Sequence, residues 1–235
     1  MLLSIIRQNQ KLAAKRNPAF DRNRFAKFLI YFMVAFWAAY LIFIGVMLSF
    51  AFEDIFPSME PYHIMNQGLI YLLILDFLLR FMLQPAMSQE IKPYLLMPVK
   101  KNKLVDTLLL QSGISSYNFF WFFLIIPFAL LTIIRFYGLT GILCYLCGIW
   151  LLMVMNSYWY LICKTLLNEK LLYILLPIGV YGLLAGTEFI PEGNPVSTFM
   201  MNLGEGFIEG NILAFLGVIA AILLLLLVNR KLQLH

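Results

Sequence analysis

The sequence predicts an all-α integral membrane protein, with six transmembrane helices behind an N-terminal amphipathic interfacial helix and both ends of the chain cytoplasmic. Three observations predict this class. The 235 residues are 62% hydrophobic and 12% charged, with mean hydropathy +0.86, more apolar side chain than a soluble core of this size hides. Six long apolar runs recur, at about Phe28–Phe50, Ile64–Leu83, Leu108–Ile134, Leu139–Cys163, Leu171–Ala185 and Ile212–Val228. Threaded in order through a bilayer, they leave sixteen of the seventeen Lys and Arg residues on one side and Arg135 alone on the other. By the positive-inside bias the cationic side is cytoplasmic. Seven of the twelve acids, Glu53, Asp54, Glu60, Glu188, Glu192, Glu205 and Glu209, fall on the outer side.

Each run is read as a helix because a bilayer offers no water to backbone N–H and C=O groups, and the runs are too long and too continuously apolar for barrel strands. The first has 23 residues without a charge, about 35 Å of helix against a hydrocarbon core of about 30 Å. A cleaved signal peptide is the competing reading, but its apolar part is shorter, and here a basic segment of 27 residues comes first. Pro127 and Pro177 are expected to kink the third and fifth helices. Gly45, Gly113, Gly141, Gly148, Gly179, Gly182 and Gly217 are candidate points of close helix approach. The basic excess, a formal +5, is explained by juxtamembrane anchoring to anionic lipid, with no nucleic-acid partner implied.

The segments between the spans carry more information. Residues 1–26 form the elbow: Leu2, Ile5, Ile6, Leu12 and Ala13 share helical spacing, with Arg7, Lys11, Lys15 and Arg16 on other faces. Asn17-Pro18 breaks this helix before the six-helix domain, residues 27–235. A long cytoplasmic loop, residues 84–106, holds the apolar cluster Ile91, Tyr94, Leu95, Leu96, Met97 and Val99, followed by Lys100, Lys101 and Lys103. Such a patch needs a partner: the headgroup layer, the protein's own helix ends or another subunit. The outer segment, residues 186–211, mixes Phe189, Ile190, Phe199, Met200, Met201, Leu203, Phe207 and Ile208 with Gly, Pro and four glutamates. This suits either short helical pieces dipping into the outer interface or an ordinary loop.

One ionisable pair lies within a span. Asp76 and Arg80 are four residues apart, on one helical face, Asp76 near mid-bilayer and Arg80 deep enough in the inner half to snorkel. Each costs about 2.5–3.5 kcal/mol at a helix centre, so burial with mutual pairing is expected. The pair is read as structural, within the chain or across a subunit contact, or as a polar lining of a transport path. Elsewhere chemistry is sparse. Cys144 and Cys147 have Cys-x-x-Cys spacing without a second pair or a histidine, and Cys163 is alone. His63, in an outer loop, and His235 are the only histidines. Gln111, Ser112, Ser115, Ser116, Asn118, Asn156 and Ser157 are read as interhelical hydrogen-bonding groups. Neither Glu-Glu-x-x-x-Arg nor His-Glu-x-x-His occurs, so no catalytic residue, cofactor or metal is expected.

Six spans, an elbow, a basic loop with an apolar segment between spans two and three, a tight outer turn near Tyr137-Gly138 and a semi-apolar outer segment before the last span resemble the permease of an ABC-2 type transporter. The layout covers nearly the whole chain. More locally, LLILDFLLRFMLQ (Leu72–Gln84) with PYLLMPVKKNKLVDTLLLQS (Pro93–Ser112) is similar to a bacterial permease-like family known only as a domain of unknown function. Members of that family are longer, so the sequence is read as a short variant or as part of a permease. The resemblance implies a bacterial inner-membrane exporter of an amphipathic or lipid-like substrate, driven by a separate ATPase and completed by a second permease copy or a paralogue. The chain itself lacks Gly-x-x-x-x-Gly-Lys-Ser/Thr and has no cytoplasmic segment large enough for a nucleotide domain. Coupling to the motor maps to the loop after span two, on Gln89, Ile91, Tyr94, Leu95, Leu96, Lys100, Lys101 and Lys103. An ion-coupled carrier or a non-transporting scaffold is the alternative class.

Overall fold

The computed structural model describes residues 24–84, 100–187 and 194–234, with isolated positions at Ser4, Ile6, Gln8, Asn9, Leu12 and Tyr94. Nine α-helices run through the described residues: α1 Arg24–Ile55, α2 Pro61–Gln67, α3 Leu69–Leu83, α4 Lys101–Gly113, α5 Phe122–Leu131, α6 Ile134–Glu169, α7 Leu175–Gly186, α8 Pro195–Ile208 and α9 Ile212–Leu234. Short 3-10 turns at Ser116–Phe119 and Leu171–Ile174 precede α5 and α7. No strand occurs among the described residues.

Three helical stretches, Lys27–Ile55, Ile134–Glu169 and Ile212–Leu234, are each long and apolar enough to cross a membrane. Two bent pairs, Pro61–Gln67 with Leu69–Leu83 (49°) and Lys101–Phe119 with Phe122–Leu131 (55°), raise the number to as many as five. The protein is thus a helical membrane protein with three to five candidate spans among the described residues. The fifth predicted run is a shorter apolar helix, Leu171–Gly186, of roughly 25 Å, less than the hydrocarbon thickness of about 30 Å.

Helix α6 is the central post, packed against α3, α4, α5, α8 and α9. Tyr145, Ile149, Met153 and Tyr160 on it are fully buried. Helix α1 packs chiefly on α5, where a Cβ at Gly45 would lie 2.3 Å from the Leu124 carbonyl oxygen. Its remaining surface is exposed, including the stacked Phe28, Phe32, Phe36 and Tyr40. Gly148 likewise admits a neighbour, the Phe207 ring of α8, at a distance no Cβ would allow. Gly179, Gly182 and Gly217 face open space, so no helix approaches there: the first two lie on loosely packed α7, the third on the outer flank of α9.

Several expectations are corrected. The third run is not one helix: it breaks between Gly113 and Phe122, upstream of Pro127. The cause is local polarity, since the Asn118 side-chain amide donates to the Gly113 and Ser112 carbonyls, at 2.6 and 3.3 Å, in place of helical N–H groups. Pro177 stands in the first turn of α7, just after the 3-10 turn Leu171–Ile174, where a missing N–H costs least. The loop predicted over residues 84–106 is shorter at its far end, because α4 starts at Lys101. The tight turn expected near Tyr137-Gly138 is present: Gly138, with φ +62°, kinks α6 after its first turn, and a side chain would be strained there. In the outer segment α8 is a regular helix of 14 residues, capped by Asn194 Oδ1 accepting from the N–H groups of Val196 and Ser197. Phe189 and Ile190 lie outside the described residues.

Charge separates along the bundle. Side-chain contacts bring the start of α4, the end of α3, the end of α6 and the end of α9 together: Lys101 Nζ to Leu234 O (2.9 Å), Arg230 to Asp106 (2.8 Å), Gln233 to Thr165 (2.6 Å) and Lys164 Nζ to Phe81 O (3.0 Å). That end carries Lys100, Lys101, Lys103, Lys164, Lys170, Arg230 and Lys231. The opposite end holds Glu53 paired with Arg135 (2.8 Å), His63 against Glu205, and Asp54, Glu60 and Glu209. His63 is therefore not in a loop but on α2, facing α8.

Candidate functional site

The polar centre of the bundle is built around Asp76 and Arg80 on α3. Arg80 Nε donates to Asp76 Oδ2 at 2.7 Å, and the two side chains are 1% and 4% exposed. Arg80 does not snorkel. Its guanidinium is turned inward, where Nη2 donates to Asn118 Oδ1 at 2.9 Å. Asn118 in turn holds the carbonyls that end α4, so the cation sits one side chain from the negative pole of that helix. The anionic Asp76 and this helix end together offset the cost of an arginine in the apolar layer.

Asp76 takes two further donors. Trp121 Nε1 reaches Oδ1 at 2.9 Å, and Asn156 Nδ2 reaches Oδ2 at 2.8 Å while also donating to the Leu73 carbonyl at 2.9 Å. The free face of Asn156, its Oδ1, accepts from the Tyr181 hydroxyl of α7 at 2.7 Å. Six side chains from α3, the α4–α5 link, α6 and α7 thereby form one chain of hydrogen bonds. Three donors occupy three of the roughly four acceptor positions of the carboxylate, and the hydrogen bonds tie α3, α6 and the α4–α5 link into one network. Asn118 and Asn156 were marked by the sequence as hydrogen-bonding groups. Trp121 and Tyr181 were not, although an aromatic with a polar handle inside a span needs a partner for that handle.

Among the predicted coupling residues, Gln89, Ile91, Leu95 and Leu96 lie outside the described residues. Tyr94 is half-buried against the apolar cluster at the basic end, which contains Leu104, Val105, Leu108 and Tyr160 and takes in Ile6 from the N-terminal segment. Ser4, Gln8, Asn9 and Leu12 of that segment are exposed. Lys100 and Lys103 are exposed, whereas Lys101 is tied to the last turn of α9. Ser112 Oγ and Ser157 Oγ meet at 3.0 Å. Cys144, Cys147 and Cys163 are free thiols on α6. Among the described residues no group of three or more His, Cys, Asp or Glu side chains is placed to hold a metal ion.

No curated protein and no solved structure matches the chain. One family model does, across residues 10–235, nearly the full length, and it takes in the charged pair, the basic end and the outer helix alike. The chain belongs to the family of unknown function DUF5687.

Proposed function

We propose that the chain is a six-span permease subunit of an ABC-2 type exporter, moving an amphipathic or lipid-like substrate across the bacterial inner membrane. ATP is hydrolysed by a separate ATPase, and a second permease copy or a paralogue completes the path. Leu171–Gly186 is the fifth span in chain order and brings the total to six, short enough to need local thinning of the bilayer or tilting of its neighbours. Both ends of the chain lie in the cytoplasm, on the cationic side.

The observation that carries this reading is the strapping of the basic end. Lys101 to Leu234, Asp106 to Arg230 and Thr165 to Gln233 join α4, α9 and α6 immediately beside the segment that would touch a motor. Each tie is exposed or half-exposed and worth at most about 1 kcal/mol. Together they let a push on the loop before α4 move three helices as a unit. An ion-coupled carrier would need a buried carboxylate able to exchange its ion, and the three donors on Asp76 speak against that use.

Co-expression with an ATPase encoded beside this gene tests the reading. Replacing Tyr94, Leu95 and Leu96 together with Asp should abolish co-purification, and undiminished binding refutes the coupling assignment. Cysteines placed at Lys101 and Ser58 test the orientation in intact cells. An impermeant maleimide should reach Ser58→Cys and spare Lys101→Cys.

A further inference from the structure

The seam between α3 and α7 is loosely closed. Pro177 is the single buried residue of α7, and Ile178 on it is 60% exposed. Between the helices lies a cavity of about 320 Å3, apolar throughout, lined by Ile74, Phe77 and Phe81 on one side and Ile174, Ile178 and Tyr181 on the other. A second apolar cavity, about 230 Å3, lies beyond Tyr181 and reaches Asn156, Met200 and Leu225. The Tyr181 ring divides the two, and its hydroxyl bond to Asn156 keeps it there.

No charged residue lines the first cavity, but a cation stands beside one end of it. Phe81 forms its limit toward the basic end, and the Lys164 ammonium stands 4.2 Å above that ring. Lys164 spends one donor on the Phe81 carbonyl, leaving two for a ligand. Lys170 is exposed just before the turn that supplies Ile174. From Ile74 to Phe81 is seven residues, about 10 Å along the helix. The cleft is thus an apolar groove that starts at the level of the cationic headgroup layer and runs inward beside α3.

We propose that the α3–α7 cleft binds the acyl chain of an anionic lipid, with its head at Lys164. Inside a bilayer an acyl chain gains almost no hydrophobic free energy by leaving its neighbours, so shape and the cation must do the selecting. A zwitterionic lipid offers the same tail and less charge to Lys164. The proposal names the substrate class of the exporter and, in that respect, rests on that reading; the binding itself is measured without any ATPase.

The test uses purified full-length protein in phosphatidylcholine liposomes carrying a diazirine-tailed probe: phosphatidylglycerol, the free fatty acid or phosphatidylcholine. After irradiation, labelled peptides are mapped. Phosphatidylglycerol should label Ile74–Phe81 and Ile174–Tyr181 well above α1. Lys164→Gln should lower that labelling about fivefold, the size of one half-exposed ion pair, and leave the phosphatidylcholine signal unchanged. Ile178→Trp, at an exposed position the fold tolerates, should lower cleft labelling by every probe without changing the melting temperature. Equal labelling by the fatty acid supports the site and shows that a carboxylate head suffices; preference for phosphatidylglycerol supports it and specifies a phosphate. Even labelling of α1, α7 and α9, or indifference to Lys164→Gln, overturns it. A labelled cleft whose lipid fails to stimulate a co-purified ATPase overturns the substrate assignment and leaves the binding site standing.

Discussion

Removing both members of the Asp76–Arg80 pair should cost less than the two single removals summed. Asp76→Leu leaves a guanidinium that cannot give up its proton, on a side chain 1% exposed. Breaking a buried pair in this way costs about 3–5 kcal/mol. Arg80→Met is milder, at about 2–3 kcal/mol, because Trp121 and Asn156 still donate to the carboxylate. In the double variant no charge remains. Asn156 keeps the Leu73 carbonyl and the Asn118 amide keeps Gly113, so the orphans are Trp121 Nε1–H and Asn118 Oδ1, at about 1–3 kcal/mol each. About 3 kcal/mol of the summed single costs should therefore be missing from the double. Equilibrium unfolding in mixed micelles of the four proteins measures this coupling. Additivity within about 0.5 kcal/mol would refute the argument, since distant, independent sites behave that way. Exchanging the two residues is a sharper variant. Asp76→Arg with Arg80→Asp should not restore stability, because the only polar atom of Trp121 is a donor and would face a cation.

Gly204→Ala puts a Cβ 2.3 Å from the buried Asn66 side chain, which also accepts from the Tyr145 hydroxyl at 2.9 Å; unfolding should register a loss of about 1–3 kcal/mol. Gly179→Ala, facing open space on α7, is the control and should be neutral or stabilising by about 0.5–1 kcal/mol, again by unfolding. Tyr181→Phe removes one hydrogen bond, about 1 kcal/mol, and hydrogen exchange should speed up along α7 while α6 keeps its protection. Gly45→Leu should detach α1 from α5, seen as loss of a disulfide engineered between the two helices in the otherwise unchanged protein.

The runs of apolar residues made the long helices legible, because a bilayer forces each segment to satisfy its own backbone. The Asp76–Arg80 pairing followed from a spacing of four on one helix. Its partners did not, since Asn118, Trp121 and Asn156 come from 42, 45 and 80 residues along the chain from Asp76 and only packing brings them in. Helix breaks were less legible than helices. Proline drew attention at 127 and 177, yet the real break in the third run lies at Ser115–Asn118, where side chains compete for backbone carbonyls. The bend at Gly68 was not legible either: residue 68 ends one helix and starts the next, and a single glycine in an apolar run does not announce a break. The outer segment was ambiguous because its apolar residues alternate with Gly, Pro and glutamate, a mixture that suits short helical pieces and a loop equally. In the structure Gly204 is the small residue that lets α8 close on α2.

The break in the third run and the buried charge support one another. A helix that stops inside an apolar layer leaves carbonyls short of donors; at Gly113 the Asn118 amide supplies one, and at Ser112 it adds to the Ser115 N–H. That use fixes the orientation of the amide, so its oxygen must point the other way, toward a donor. Arg80 is that donor, and an arginine is tolerated at this depth only because Asp76 and the end of α4 both present negative charge to it. Removing the arginine should therefore loosen the α4–α5 junction as well as the ion pair, whereas an ion pair beside an unbroken helix would leave its neighbour untouched. The same reasoning explains why α7 is attached so lightly. It meets this node at its rim, through the Tyr181 hydroxyl on Asn156, and its other contacts are apolar, Tyr181 on Phe77 and Leu184 on the core, so it carries none of the charges that join the remaining helices.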